Sequence, residues 1–138
     1  MRFVGCLAIL AAAIGLTGCG GGTNKKAVSG SVAWKSQPLE TGMIRFLPAD
    51  PGGQTETGAV ITNGKFDIPR DQGLLPGKYK VAISSPDPKS GGGPPDAPPG
   101  ERGGYPATER IAAKYNSKTE LTAEVTVDGK NHFEFKVE

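Results

Sequence analysis

The chain has 138 residues, with 16 lysines and arginines against 14 aspartates and glutamates, and a formal net charge of +2. This length suits one ordinary domain and is too short for two independent hydrophobic cores. The near balance of charge argues against a nucleic-acid partner, which requires a basic face for the phosphates.

Residues 1–19 are organised as an export signal. Arg2 precedes an apolar run over residues 3–16, which is shorter than the roughly 20 residues that a membrane-spanning helix needs. The run leads directly into a tetrapeptide that resembles a bacterial lipobox: Leu16, Thr17, Gly18 and Cys19. The resemblance implies that residues 1–18 are a signal peptide and that Cys19 becomes the lipidated first residue. The alternative is an ordinary secretory signal in which Cys19 is incidental.

Lipidation of Cys19 implies a location at a membrane. A thiolate is the side chain most readily alkylated by a lipid donor, and bacterial lipoproteins carry a diacylglycerol on sulfur, often with a further acyl chain such as palmitate on the amine. Two or three acyl chains anchor a protein far better than one. We therefore expect a protein of the bacterial cell envelope, at the outer membrane or the outer face of the cytoplasmic membrane. Residues 19–26 are predicted to be its flexible tether.

Short strands are predicted after the tether. Val28–Trp34 alternates with period two, Gln37-Pro38 marks a turn, and Met43–Leu47 forms the next strand. The other cysteine, Cys6, lies in the signal peptide, so no disulfide is expected and burial alone has to hold these strands together.

Asn63-Gly64 is the clearest turn signal, because this dipeptide favours the type I′ hairpin. The turn predicts a hairpin with its apolar residues on one face, in which the pairs are Ile61 with Phe66 and Ala59 with Ile68.

A further strand, Tyr79–Ser84, follows the Pro76-Gly77 corner. Its first residue has two interpretations. The Tyr79 hydroxyl either bonds to backbone across the bend, as in the tyrosine corner of β-sandwiches, or points into water.

Together these segments resemble a carboxypeptidase-regulatory-like domain. The resemblance is carried by Val28-Ser-Gly-Ser-Val32, Gly42-Met-Ile44-Arg-Phe46, Asn63-Gly64-Lys-Phe66-Asp-Ile68-Pro69, Pro76-Gly77-Lys-Tyr79-Lys-Val81 and Phe133-Glu-Phe135. It covers most of residues 27–138 and implies an all-β fold, a single antiparallel transthyretin-like β-sandwich of about seven strands with Greek-key connections. Because these motifs consist of glycines and alternating apolar residues, they specify the fold well and the function hardly at all.

Residues 85–104 interrupt the pattern with six prolines and six glycines. No apolar side chain larger than Ala97 or proline is present to offset the entropy of ordering the segment. We predict a disordered insertion that projects from the domain, either as a tolerated spacer or as a polyproline-type docking segment.

Two elements are predicted after the insertion. Thr108 is a candidate cap for a short helix that ends near Tyr115, with Asn116 as a left-handed stop. Alternating apolar residues then predict a closing hairpin through the loop 127–129. This hairpin sets Ala123 opposite Phe133 and Leu121 opposite Phe135. Its outward side chains are Thr122, Glu124, Thr126, His132, Glu134 and Lys136.

Few residues of the chain could take part in catalysis or metal binding. His132 is the only histidine and no cysteine is free, so we expect no metal, no cofactor and no catalytic site. The first hypothesis is a structural or protein-interaction module at the cell envelope. The alternative is a module that binds saccharide or peptide through exposed aromatic residues, for which the candidates are Trp34, Tyr105 and Tyr115.

Overall fold

The computed structural model describes residues 24–50, 56–90 and 107–138. Within these ranges the protein is all-β, and one 3₁₀ turn, Ala113–Tyr115, is the only helical element. The strands are β1 (Val28–Trp34), β2 (Gln37–Pro38), β3 (Thr41–Pro48), β4 (Thr57–Thr62), β5 (Lys65–Ile68), β6 (Gly77–Ser84), β7 (Thr122–Val125) and β8 (His132–Val137). The predicted signal peptide, residues 1–18, lies outside the described residues, as do residues 91–104 of the predicted insertion.

The strands form one curled sheet in the order β2-β1-β5-β4-β3-β6-β7, with β8 beside β1. Every pairing is antiparallel except that of β1 with β8, which is parallel. The alternation predicted for Val28–Trp34 is confirmed, since Val28, Gly30 and Val32 are buried and the residues between them are only half-buried. The expectation of an all-β, mainly antiparallel fold is therefore confirmed.

The Asn63-Gly64 turn forms as predicted, with φ of 50° at Asn63 and 73° at Gly64. The hairpin that it closes is much shorter than expected, because Thr62 and Lys65 are the only residues paired between β4 and β5. The predicted pairings of Ile61 with Phe66 and of Ala59 with Ile68 are therefore wrong. Beyond the turn, β4 pairs along its length with β3, and β5 pairs with β1.

The core lies inside the curl of the sheet. Phe46 of β3 lies 6.0 Å from the ring of Phe66 on β5 and 6.3 Å from that of Phe133 on β8, measured between ring centroids. Gly30 of β1 is the backbone partner of both Phe66 and Phe133. A Cβ at Gly30 would lie 2.0 Å from the Phe133 carbonyl oxygen and 2.8 Å from the Phe66 ring, so the close approach requires glycine.

The predicted closing hairpin is wrong, because β7 and β8 have different neighbours. Ala123 of β7 is paired with Tyr79 of β6, whereas Phe135 of β8 is paired with Val32 of β1. Both Ala123 and Phe135 are buried, and the outward residues of the two strands are exposed as predicted. Alternation defines the face that a residue occupies but does not choose the neighbouring strand.

Of the helix predicted from Thr108 to Tyr115, only the end forms, as the 3₁₀ turn Ala113–Tyr115. Thr108 accepts a backbone hydrogen bond from Asp87, and Glu109 forms a β-bridge with Pro86. This extended pairing takes the residues that the predicted helix would have used in its first turn. Asn116 has a φ of −127° and is not a left-handed stop.

Tyr79 forms a tyrosine corner. Its side chain is fully buried, and its hydroxyl donates a hydrogen bond to the Leu75 carbonyl oxygen at 2.8 Å. Burial raises the pKa of Tyr79 above its ordinary value of 10.0, and the bond to Leu75 opposes part of that rise. The phenol therefore keeps its proton in the folded state at a pH where the unfolded chain has lost it.

The substitution Tyr79→Phe is expected to destabilise the protein by about 1 kcal/mol at neutral pH, because the Leu75 carbonyl loses its donor. The native chain should also lose stability as the pH rises above 10.0, because only the unfolded state releases the Tyr79 proton there. Y79F should lose less over the same interval. Urea unfolding at about pH 8 and about pH 11, followed by Trp34 fluorescence, measures both effects. Tyr115→Phe is the control, and an equal alkaline loss in Y79F and native protein would contradict the prediction.

Candidate functional site

The predicted lipidation site, Cys19, lies outside the described residues. The same is true of Leu16, Thr17 and Gly18, and of Tyr105. The end of the predicted tether is described and belongs to the fold. Lys26 and Leu74 exchange two backbone hydrogen bonds of 2.7 and 3.1 Å, and the Lys25 ammonium donates to the Asp71 carbonyl. The folded domain therefore includes Lys25 and Lys26, whereas the sequence predicted that it begins at Ala27.

Trp34 lies at the end of β1, half-buried against the core. The Lys35 ammonium nitrogen is 4.8 Å from the centre of its ring and the Arg110 guanidinium carbon is 5.2 Å away, both within cation–π range. The indole nitrogen is buried and makes no hydrogen bond. A cavity of about 370 Å³ lies beside the ring, with Glu40 among its lining residues.

Arg110 is fixed against Trp34 by a buried serine. Its guanidinium donates to the Ser85 hydroxyl at 2.6 Å and to the Ser85 carbonyl at 3.2 Å, and the Ser85 hydroxyl donates to the Thr41 carbonyl at 2.7 Å. Glu109 accepts the backbone N–H of Ser85 at 2.8 Å. Residues 85–90, the start of the predicted insertion, thus lie in the hydrogen-bonded part of the domain.

Tyr115 is half-buried in the 3₁₀ turn. The ammonium of Lys114 lies 4.7 Å from the centre of its ring, and the hydrogen bond with Tyr115 raises the pKa of Lys114. Both described members of the predicted aromatic set therefore have cations over their rings.

His132 belongs to a polar row on the outer face of the sheet. Its Nδ1 lies 3.1 Å from the Ser29 hydroxyl oxygen, and Ser29 is the strand partner of both His132 and Asp67. A hydrolytic triad needs the carboxylate on the other ring nitrogen of the histidine, whereas here the serine stands between the histidine and the aspartate. In the three described ranges, no group of three or more metal-ligating side chains comes together.

A concave surface lies in the gap where β4 and β5 separate, which we call the β4–β5 opening. It comprises two cavities of about 610 and 500 Å³ that share Val60 and Asp67. Val60 is 63% exposed, a high value for a large apolar side chain. Sequence reasoning missed this surface because the turn signal predicted a hairpin that stays closed.

Charged groups lie around the β4–β5 opening. Arg45 forms an ion pair with Glu56 on the β3 side. Within the part of the chain that the structure describes, the Asp67 and Lys65 side chains on β5 have no ion-pair partner. Asp67 lines both cavities with a carboxylate that has no ion-pair partner, whereas Lys65 lines only the smaller one.

No protein-family model, no curated protein and no solved structure matches the chain. Among the described residues, no helix has the length and the apolar character that a membrane span requires.

The substitution Ser85→Ala is expected to destabilise the protein by about 1–3 kcal/mol, because the Thr41 carbonyl and the Arg110 guanidinium both lose a buried partner. Release of Arg110 should also change the fluorescence of Trp34, the only tryptophan. Urea unfolding and emission spectra measure the two effects. Ser84→Ala is the matched control, and equal stability and emission for the two variants would contradict the role given to Ser85.

Proposed function

We propose that this protein is a lipid-anchored module of the bacterial cell envelope that serves a structural or protein-interaction role without catalysis. The observation that carries the proposal is the Leu16-Thr17-Gly18-Cys19 sequence directly after an apolar run. Residues 20–24 separate Cys19 from Lys25, which hydrogen-bonds to the folded domain. Fully extended, this link reaches about 20 Å, so an acylated Cys19 would hold the domain close to the membrane surface.

A transthyretin-like β-sandwich of the carboxypeptidase-regulatory-like type is the architecture that we propose for the domain. Phe46 on β3 contacts Phe66 on β5 and Phe133 on β8, two strands that do not pair with β3. Contacts of this kind across the interior are what two facing layers of a sandwich require. The tyrosine corner at Tyr79 is a second feature in common with β-sandwiches.

The geometry favours protein interaction over the saccharide alternative. Stacking of a sugar requires an open aromatic face, but Lys35 and Arg110 lie over Trp34, and Lys114 lies over Tyr115. The proposal does not include hydrolysis, because among the described residues no carboxylate hydrogen-bonds to the His132 ring to orient it toward Ser29.

The test is intact-mass analysis of the membrane fraction from a bacterial host that expresses the full chain. Native protein should lack residues 1–18 and carry a diacylglyceryl group on Cys19, with or without a further acyl chain. Cys19→Ala should lose both the lipid mass and membrane retention. Cys6→Ala is the matched control and should behave as native, because it changes the other cysteine of the signal region. A mature chain with a free Cys19 thiol, or one cut elsewhere, would contradict the proposal.

A further inference from the structure

One edge of β4 is hydrogen-bonded to β3 along its length, and the other edge is paired only at Thr62. Asn63 donates its N–H to the Glu40 carbonyl at 2.9 Å, on the β3 side. Because hydrogen-bonding direction alternates along a strand, Ala59 and Ile61 also bond toward β3. The N–H and C=O groups of Gly58 and Val60 then point the other way, into the β4–β5 opening.

β5 also has a free edge, on the side that faces β4. Val32 donates its N–H to the Gly64 carbonyl at 2.8 Å, so Phe66 and Ile68 bond toward β1. The backbone groups of Asp67 then face β4. Val60 and Asp67 would be the next pair after Thr62 and Lys65 in a closed hairpin, but that pair does not form. Two rows of backbone donors and acceptors thus face each other unpaired across the opening.

The β4 edge lacks the protection that the outer strands of the sheet carry. Exposed charged side chains line β7 and β8, namely Glu124 on β7 and Glu134 and Lys136 on β8. Charges of this kind discourage another strand from adding to an edge. Along the free edge of β4 the corresponding residues are Gly58, which has no side chain, and Val60, which is apolar and exposed.

We propose that the β4–β5 opening binds an extended peptide segment of another protein, which adds as a strand to the free edge of β4. This rests on the proposed protein-interaction function and names its site and partner class. Gly58 and Val60 supply the backbone hydrogen bonds. The partner alternates apolar residues, which point inward beside Ala59, with basic residues, which point outward toward the Asp67 carboxylate that has no ion-pair partner.

The test uses the full-length chain in detergent and an end-blocked hexapeptide of alternating valine and lysine. Amide NMR should detect saturable binding, with Gly58 and Val60 becoming protected from exchange. The same peptide with alternate backbone nitrogens methylated keeps its side chains but loses the donors on one edge. We expect it to bind at least about tenfold more weakly.

Variants of the chain distinguish the contribution of backbone hydrogen bonds to peptide binding from the contribution of side chains. Val60→Pro removes an N–H that the fold does not use, so it should leave the unfolding midpoint near native but weaken binding at least about tenfold. Val60→Thr keeps the N–H and should bind within about threefold of native. Asp67→Asn should weaken the lysine peptide but not a version with serine in place of lysine.

Equal binding of the methylated and unmethylated peptides, or saturation without protection of Val60, would overturn the proposal. So would an absence of binding at millimolar peptide, or a dimer of the chain that already protects Val60. If V60P does not fold, the methylated peptide with native protein decides alone. If Cys19 is acylated but the peptide does not bind as expected, the proposal of a lipid-anchored module stands and only the proposed peptide site is overturned.

Discussion

Two residues in the left-handed region, Asn63 and Gly64, determine how the sheet is divided. Asn63 donates to the Glu40 carbonyl at 2.9 Å, Gly64 donates to the Leu39 carbonyl at 2.7 Å, and the Gly64 carbonyl accepts from Val32 at 2.8 Å. The turn is therefore held on both sides by other parts of the chain. Its two strands then separate, β4 toward β3 and β5 toward β1. The enclosed core and the β4–β5 opening both depend on this separation.

Where β4 and β5 separate, their inward side chains and their backbone groups lie in different environments. On the inner side, Ile61, Phe66 and Ile68 still face the core and are buried, so divergence of the backbones does not expose apolar surface there. Between the two strands, the backbone N–H and C=O groups of β4 and β5 lose the partners that a closed hairpin would give them. An unprotected strand edge of this kind is suited to binding an extended segment of another chain by backbone pairing, which is the role that we propose for it. The described aromatic candidates, Trp34 and Tyr115, contribute to packing and to cation contacts.

Local signals predicted much of this fold and little of its connectivity. Period-two alternation in Val28–Trp34 and the positive φ at Asn63-Gly64 depend on residues close in sequence, so both were predictable. The parallel pairing of β8 with β1 joins residues about a hundred positions apart, and no local pattern specifies it. The helix predicted from Thr108 is replaced by a bridge between Glu109 and Pro86, a contact across the Pro/Gly-rich segment. The β4–β5 opening was missed for the same reason. β4 pairs with β3 and β5 pairs with β1, and the local turn signal specifies neither pairing.

Amide hydrogen exchange along β4 tests the central claim most directly. If the turn shares its strands between different neighbours, Ala59 and Ile61 should be protected by β3, while Gly58 and Val60 should exchange quickly despite lying within a strand. The account predicts this alternation in unliganded native protein, without any substitution. Equal protection of all four amides, with matching protection of Asp67, would indicate a closed hairpin and contradict the account.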